Sequence, residues 1–319
     1  MEVIRQLDHF PEYLQGGVLA IGKFDGMHRG HTLILSRLRE HARQSGVPSI
    51  ALTFEPMPVH IIRPELGILP LSTLEQKIGL MAAQGVDALI VCPTDPQFLA
   101  QTADDFFANT IQKTLRSKVI VEGRNFFFGH HREGTPEKLQ RLCHNAGITL
   151  EIVKTIAHNG EQVSSSRIRT LLQSGNIAVA NDLLSRPYRL TGKVTVGEQR
   201  GRTLGFPTAN LAGVETVLPK TGLYAATVEI AADDSVTGDS VADDIPAAVH
   251  VGTNPTFGET PFKIEAHLLD FSGDLYGRTL HIDFLARLRD VVHYPTVNEL
   301  LKQMRLDVIE TRRIVESFC

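Results

Sequence analysis

Four apolar residues, Val18–Ile21, run up to a break at Gly22, and apolar positions return at helical spacing as Ile34, Leu35, Leu38 and Ala42. That pattern predicts a strand, a glycine-rich loop and a helix. The alternation then repeats. Ser49–Phe54 reads as an apolar strand stopped by Glu55-Pro56-Met57-Pro58, because proline cannot donate to a ladder. Ser72 with Glu75 predicts a capping box, opening a helix that Gly85 closes. Val86–Val91 is the next strand. Thr102 and Asp105 open a helix running to Leu115, and Lys118–Glu122 follows as a strand. Thr135-Pro136 supplies an N-cap and first helical position, with Gly147 at the far end and Ile148–Ile156 as one more strand. Strands alternating with helices predict an α/β fold with a parallel sheet and right-handed crossovers.

The period changes after Asn176–Leu184, a short helix broken by Ser185-Arg186-Pro187-Tyr188. From there the apolar positions alternate over short stretches: Arg189–Val196, Gly222–Ile230, Ala247–Val251, Lys263–Asp270 and Thr279–Leu288. Turn residues separate them, so an antiparallel sheet or small β-barrel is expected. The domain boundary therefore falls between residues 1–185 and 186–319. Asp233, Asp234, Asp239, Asp243 and Asp244 sit among Ser and Gly and read as a solvated loop without function. A terminal helix starts at Thr296, with Glu299 completing a capping box and Leu301, Met304, Val308 and Val315 forming its buried stripe. A break in that helix near Asp307 is left open.

A chain of 319 residues suits two domains, and 42% apolar with 21% charged residues allows ordinary cores. The net charge of −4 argues against a nucleic-acid partner but not against a locally basic nucleotide site. Cys92, Cys143 and Cys319 are isolated, which speaks against zinc and suits a reducing, cytoplasmic setting. The first twenty residues carry Arg5, Asp8, His9 and Glu12 without a long apolar core, so no signal peptide is expected. No apolar run approaches membrane-spanning length, so no membrane partner is expected.

The first candidate chemistry lies in the loop after Val18–Ile21. Gly22, Gly26 and Gly30 let the backbone approach a ligand closely. The following helix start offers bare N–H groups and a positive dipole end. His28 and His31 are three apart and share one side of it, with Lys23 nearby. An ordinary strand-to-helix turn needs glycines but not this spacing of Gly22, Phe24, Asp25, Gly26, His28, Gly30 and His31. The stretch resembles the HxGH signature of nucleotidylyltransferases. Its F-D-G neighbour narrows the resemblance to the adenylyltransferase half of bacterial bifunctional riboflavin kinase/FAD synthetases. That half implies a Rossmann-like nucleotidylyltransferase sheet, ATP as co-substrate and ATP contacts from the residues just named.

Two further loops fit the same resemblance. Asn125-Phe126-Phe127-Phe128-Gly129, with Arg132 and Gly134, follows a strand end, where ligands bind in open α/β sheets. At least one of the three phenylalanines should face a pocket or a neighbouring element. The segment is similar to the family's N-F-x-F-G-x-x-R-x-G, which implies nucleotide contacts from Asn125. Ser164-Ser165-Ser166-Arg167-Ile168-Arg169 leads into a helix, where hydroxyls can cap and an arginine fork can hold phosphate. It resembles the family's S-S-T-R-I-R motif, which implies roles for Ser164, Ser165 and Arg167. The roles of Met57, where the family usually has histidine, and of Arg124, Arg132 and Arg169 stay open. The chemistry implied is alignment rather than base catalysis, because an FMN phosphate is already anionic. His28, His31, Arg167 and Mg²⁺ would neutralise the phosphate oxygens as pyrophosphate leaves and FAD forms.

In the second half, Gly197, Gly201 and Gly205 suggest a loop folded over a ligand, and Thr208 and Asn210 share one face of an extended segment. Their oxygens suit Mg²⁺. The run from Gly197 through Arg202, Gly205, Phe206, Pro207 and Thr208 to Asn210 closely resembles the riboflavin kinase signature G-x-x-x-G-F-P-T-A-N. Glu265 lies opposite the apolar face of Ile264, Ala266 and Leu268. A solvent-facing carboxylate is the usual fate of such a residue. The run K-I-E-A-H-L-L-D-F is similar to the family segment carrying the catalytic glutamate, which implies that Glu265 takes the proton of the attacking alcohol. Asp274–Arg278 and Arg289 also match a region that helps hold flavin.

Together the resemblance implies one polypeptide with two active sites. The carboxyl-terminal half phosphorylates riboflavin to FMN with ATP, and the amino-terminal half adenylylates FMN to FAD. Two alternatives stay open at this point: a nucleotidylyltransferase with another acceptor such as phosphopantetheine, and a flavin-binding module with one site decayed. A homo-oligomer is likewise left open.

Overall fold

The computed structural model describes residues 1–8, 10–198, 201, 204–231, 242–254, 256 and 262–318, with 242 and 243 as backbone only. The chain divides into two compact units, Met1–Ser165 and Ser166–Cys319.

Unit 1 is built on a six-stranded parallel sheet of β1 (Glu2–Ile4), β2 (Val18–Ile21), β3 (Ser49–Glu55), β4 (Ala88–Pro93), β5 (Val119–Gly123) and β6 (Thr149–Val153). The strand order is β1-β4-β3-β2-β5-β6. The helices are α1 (Arg29–Ser45), α2 (Pro58–Ile62), α3 (Leu74–Ala83), α4 (Pro96–Leu99), α5 (Ala103–Phe106) and α6 (Pro136–Ala146). The central strands β2 and β4 read as apolar runs because both of their faces are covered. Val18, Ala20, Ala51, Leu89 and Val121 pack with Leu35 and Leu38 of α1 and Met81 of α3. Leu19, Ile50, Ile90 and Ile120 pack on the other face with Phe106, Ile111 and Leu139. A short hairpin, β7 (Ala157–His158) and β8 (Glu161–Gln162), precedes the division between the units.

The strand order places β2 between β3 and β5, so the connection after β2 runs to β3 while the connection after β5 runs to β6 in the opposite direction. That is the switch point at which open α/β sheets bind ligands. The loops after β2 and β5 both emerge there. Glu122 marks the parting of the two strands. The β2–β5 register covers only Val18 with Val119 and Leu19 with Ile120. Beyond it, the Glu122 side chain takes over as acceptor for the Ile21 N–H at 2.5 Å. Burial pushes the Glu122 carboxyl well above the usual carboxylate range, against the opposing pull of the Ile21 and Gly123 N–H groups.

Unit 2 begins at Ser166, within α7 (Ser165–Ser174), and continues through α8 (Ile177–Leu184). The sequence reading draws the boundary after residue 185, whereas the compact units part after Ser165. Hydrogen bonds explain the placement of both helices. Leu172 O of α7 accepts from Lys220 N at 2.9 Å. Asn181 of α8 donates to Phe284 O at 2.8 Å and accepts from Tyr188 N at 2.9 Å.

The remainder is a closed antiparallel barrel of β9 (Tyr188–Thr195), β10 (Ala209–Ala212), β11 (Gly222–Ile230), β12 (Ala242–Gly252), β13 (Lys263–Leu268) and β14 (Thr279–Arg289), in the order β10-β13-β12-β11-β14-β9. Buried alternates such as Leu190, Tyr224, Val249, Ala266 and Phe284 fill its interior. The terminal helix α9 (Val297–Phe318) packs on β11, β12 and β14.

Several local expectations shift. The capping box belongs to Thr73 and Gln76, one residue later than Ser72 and Glu75. Ser72 instead accepts from Gly26 N, so its hydroxyl is committed to the loop after β2. The helix capped by Thr102 changes to a π-turn over Phe107–Thr114. Helix α9 runs through Asp307 without a break, because that carboxylate is held by Arg289 rather than by its own backbone. Asp243 and Asp244 belong to β12 rather than to a loop, while Asp233, Asp234 and Asp239 lie outside the described residues.

Asn181→Ala leaves Phe284 O and Tyr188 N without their partner, so denaturant unfolding should reveal a loss of about 2–4 kcal/mol. Glu122→Gln keeps an acceptor for Ile21 N but cannot ionise. Because the folded pKa is raised, the parent loses stability as pH rises from the unfolded carboxylate value through the folded one. The Gln variant should therefore melt above the parent at about pH 8, with the gap closing towards about pH 4.5.

Candidate active sites

The loop after β2 in unit 1 is held from several sides. Phe24, Gly26 and Met27 have φ of 46°, 78° and 43°, so the backbone turns sharply through the left-handed region. Asp25 is 3% exposed, and its carboxylate accepts from Leu71 N at 2.8 Å. Gly26 N donates to Ser72 Oγ at 3.2 Å, and Ser165 Oγ donates to Asp25 O at 2.9 Å. Gly22 N continues the ladder to Leu52 O at 2.9 Å. Phe24 and Asp25 are therefore built into the loop rather than left on its surface.

This loop delivers His28 to the N-cap of α1 and His31 to its first turn. Their rings stack 3.7 Å apart at 16°. A Cβ on Gly30 would stand 3.1 Å from His28 Cε1, so glycine lets the first imidazole fold back over the helix start. Burial pushes the His31 imidazole well below its usual range, and the positive charges of His28, Lys77 and Lys23 push the same way. Lys77 of α3 is 2% exposed and donates to Thr53 Oγ1 at 3.3 Å. Burial lowers the Lys77 ammonium, partly offset by Asp25 and Glu55. The helix start thus gathers nitrogen donors at the positive end of the helix dipole, which suits a polyanion.

The loop after β5 closes through paired hydrogen bonds between Phe128 and Gly134. Phe128 is buried and Phe126 stacks on it at 5.3 Å. Phe127 turns outward beneath the Arg132 guanidinium, 4.6 Å away. Asn125 is exposed on the same loop. Met57 is buried and precedes α2. Ser164 and Ser165 close unit 1, while Arg167 is counted with unit 2.

In unit 2 the register draws the predicted residues together. Thr195 pairs with Asn210, Asn210 with Glu265, Glu265 with His250, His250 with Leu223 and Leu223 with Arg289. Paired residues project to the same side, so these side chains form one belt across the barrel's outer face. Helix α9 covers part of that belt and leaves a cavity of about 150 Å³, lined by Thr208, His250, Glu265, Arg289, Met304 and Val308 among others.

The Glu265 carboxylate accepts from Asn254 Nδ2 at 3.0 Å, and His250 Nδ1 lies 3.7 Å from the same oxygen. Burial alone would raise the Glu265 carboxyl, but His250, Asn254 and Lys263 outweigh it and hold it below the usual range. Thr208 and Asn210 face the same side, opposite buried Ala209. A Cβ on Gly197 would fall 2.3 Å from Asn210 Nδ2, and one on Gly201 2.3 Å from Phe206 O. These glycines let the loop close onto the strand edge. Gly205 has φ 82°, Phe206 meets the His267 ring edge-on at 5.4 Å, and Pro207 O lies 2.7 Å from His267 Nδ1. Arg289 grips Asp307 with Nε at 2.9 Å and Nη2 at 2.6 Å, so its fork ties β14 to α9 as well as facing the cavity. Arg202 lies outside the described residues.

Sequence reasoning missed His250, Asn254 and Lys77. His250 did leave a signal, a polar residue between Val249 and Val251 in an apolar stretch. Lys77 left no such signal, since a lysine within a helix is ordinarily solvated. Among the described residues, no group of three or more His, Cys, Asp or Glu could hold a metal ion. Among the same residues, no helix is long and apolar enough to cross a membrane.

Two family models match the chain: FAD synthetase over residues 10–167 and riboflavin kinase over residues 184–315. A bifunctional riboflavin kinase/FMN adenylyltransferase of Escherichia coli K12 is 33% identical, covering 98% of this chain and 97% of its own. One from Bacillus subtilis is 32% identical, covering 93% and 92%. A solved structure from Streptococcus pneumoniae, described as a macrolide-efflux protein, aligns with TM-score 0.84 at 30% identity, covering 97% of this chain and 98% of that one. With both matched segments in order and near-complete coverage of these relatives, the chain belongs to the family of bifunctional riboflavin kinase/FMN adenylyltransferases.

Proposed function

We infer that the protein makes FAD from riboflavin in two ATP-dependent steps, each in its own half of the chain. The observation that carries this reading is the pair of unlike sites. A nitrogen-rich helix start at the sheet's switch point suits a reaction with an anionic nucleophile. A buried carboxylate on the barrel face suits a reaction with an alcohol. We place the adenylyltransferase within residues 1–185 and the kinase within 186–319.

In the adenylyl transfer, an oxygen of the FMN phosphate attacks the α-phosphorus of ATP. A new P–O bond forms as the bond to the β-phosphate bridge breaks, and pyrophosphate leaves. Since the nucleophile carries its own charge, the protein's task is alignment and charge neutralisation. His28 and His31 meet the phosphates at the α1 N-terminus. Burial and the neighbouring positive charges disfavour the protonated His31 imidazole. A polyphosphate reverses that environment and favours the protonated imidazole. Gly22, Gly26 and Gly30 let the backbone approach, while Asp25 and Phe24 hold the loop. Asn125, Ser164, Ser165 and Arg167 complete the ATP contacts.

In the kinase step, the terminal hydroxyl of the ribityl chain attacks the γ-phosphorus. Glu265 takes its proton as the P–O bond forms, and ADP departs. Thr208 and Asn210 supply hard oxygen donors on one face, and the close fit of Gly197 against the Asn210 amide supports their holding Mg²⁺. When bound, Mg²⁺ neutralises phosphate charge. Gly205, Phe206 and Pro207 shape the loop over the nucleotide, and the signature's resemblance carries Arg202 with them as a nucleotide contact. Arg289 keeps α9 against the flavin side of the cavity. Cys92 and Cys143 are free and buried, consistent with a reducing cytoplasm.

Flavins separated by chromatography after incubation with ATP and Mg²⁺ test the division of labour. His28→Ala should cut FAD formation by about 10²–10³-fold and leave FMN formation nearly intact. Glu265→Ala should cut FMN formation by about 10²–10⁴-fold while supplied FMN is still converted to FAD. Equal loss of both activities in either variant would exclude separate sites.

A further inference from the structure

Beside Glu265 stands a histidine to which the reaction just described assigns no role. His250 pairs with Glu265 across β12 and β13. Its side chain is 12% exposed, and it lines the same cavity. Among the described residues, neither Nδ1 nor Nε2 has a hydrogen-bond partner. A buried polar group left unpaired is costly, so such a group points to a partner acquired during function. The Glu265 Oε2 acceptor lies 3.7 Å from Nδ1, beyond hydrogen-bond length. Asn254 already donates to that oxygen at 3.0 Å. A carboxylate oxygen accepts a second donor readily, and a shift of less than 1 Å would supply it.

The other charged groups around the cavity are Lys263 and His267 on β13, Arg289 on β14, Asp307 on α9 and Glu198 before β10. Arg289 and Asp307 face each other. Glu265 is therefore the carboxylate that the imidazole meets at its own register.

We propose that His250 is a positioning residue of the kinase site, closing onto Glu265 when substrates fill the cavity and aiming the carboxylate at the ribityl hydroxyl. The inference rests on the reading of Glu265 as proton acceptor. His250 takes no part in bond making. It fixes one carboxylate oxygen together with Asn254, leaving the other for the alcohol proton. It also favours the ionised carboxylate, the form able to accept that proton.

The test uses the full chain and the variants His250→Leu, His250→Asn and Glu265→Gln. FAD formation from supplied FMN serves as the check on folding. His250→Leu should lower kcat for FMN formation by about 10- to 100-fold, with KM for riboflavin and ATP little changed. The acidic limb of its kcat–pH profile should move upward. His250→Asn, which still offers a donor, should recover most of kcat. In the Glu265→Gln background, His250→Leu should add no further loss. Wild-type kcat in His250→Leu, with Glu265→Gln inactive, would overturn the role of His250 alone. A loss in His250→Leu that Asn does not rescue, accompanied by a raised KM for riboflavin, would make His250 a wall of the flavin pocket and also overturn it. FMN formation surviving in Glu265→Gln would overturn both readings.

Discussion

The buried Asp25 carboxylate is the constraint on which the amino-terminal site depends. It binds the Leu71 amide, and the peptide around it is held by Ser72 and Ser165. A loop with residues in the left-handed region would otherwise sample many conformations, and each strained residue costs about 1–3 kcal/mol. The surrounding hydrogen bonds offset that cost and fix where α1 begins. His28 and His31 stack as they do because the helix starts at that point. The cluster of nitrogen donors from His28, His31, Lys23 and Lys77 is consequently preassembled, so an incoming polyphosphate meets donors that need little reorganisation.

The carboxyl-terminal site uses a different device. No single loop gathers its side chains; the hydrogen-bond register of the barrel does. Thr195, Asn210, Glu265 and His250 come from four strands yet fall in one row. Since side chains alternate, a slip of one residue in β13 would turn Glu265 into the apolar interior. Catalytic geometry and core packing are therefore specified by the same pairing. The glycines before β10 then bring the loop onto the edge of that row.

Much of this was legible in the sequence, for physical reasons. In unit 1, buried parallel strands and capped helices leave strong local signals, and β2 falls on Val18–Ile21 as expected. In unit 2, alternation exposed β11 and β14, and placed Glu265 opposite Ile264 and Ala266. The shortfalls arise where tertiary contacts override local preference. Ser72 resembled a cap but serves Gly26. Asp307 resembled a helix breaker but pairs with Arg289. The approach of His250 to Glu265 depends on strands far apart in the chain, which no local pattern encodes. The order of the strands around β2, which creates the switch point, is equally non-local.

The cavity of the second unit lies on the outside of the barrel, between its belt and α9. The fixed wall is ladder backbone and reacting groups, whereas the opposite wall is the Leu300, Met304 and Val308 face of a single helix. Those three residues donate no rung and occupy no barrel interior. Substrate fit can thus drift over evolution, or be redesigned, by exchanging apolar side chains on one helix face while reaction geometry and barrel integrity stay untouched.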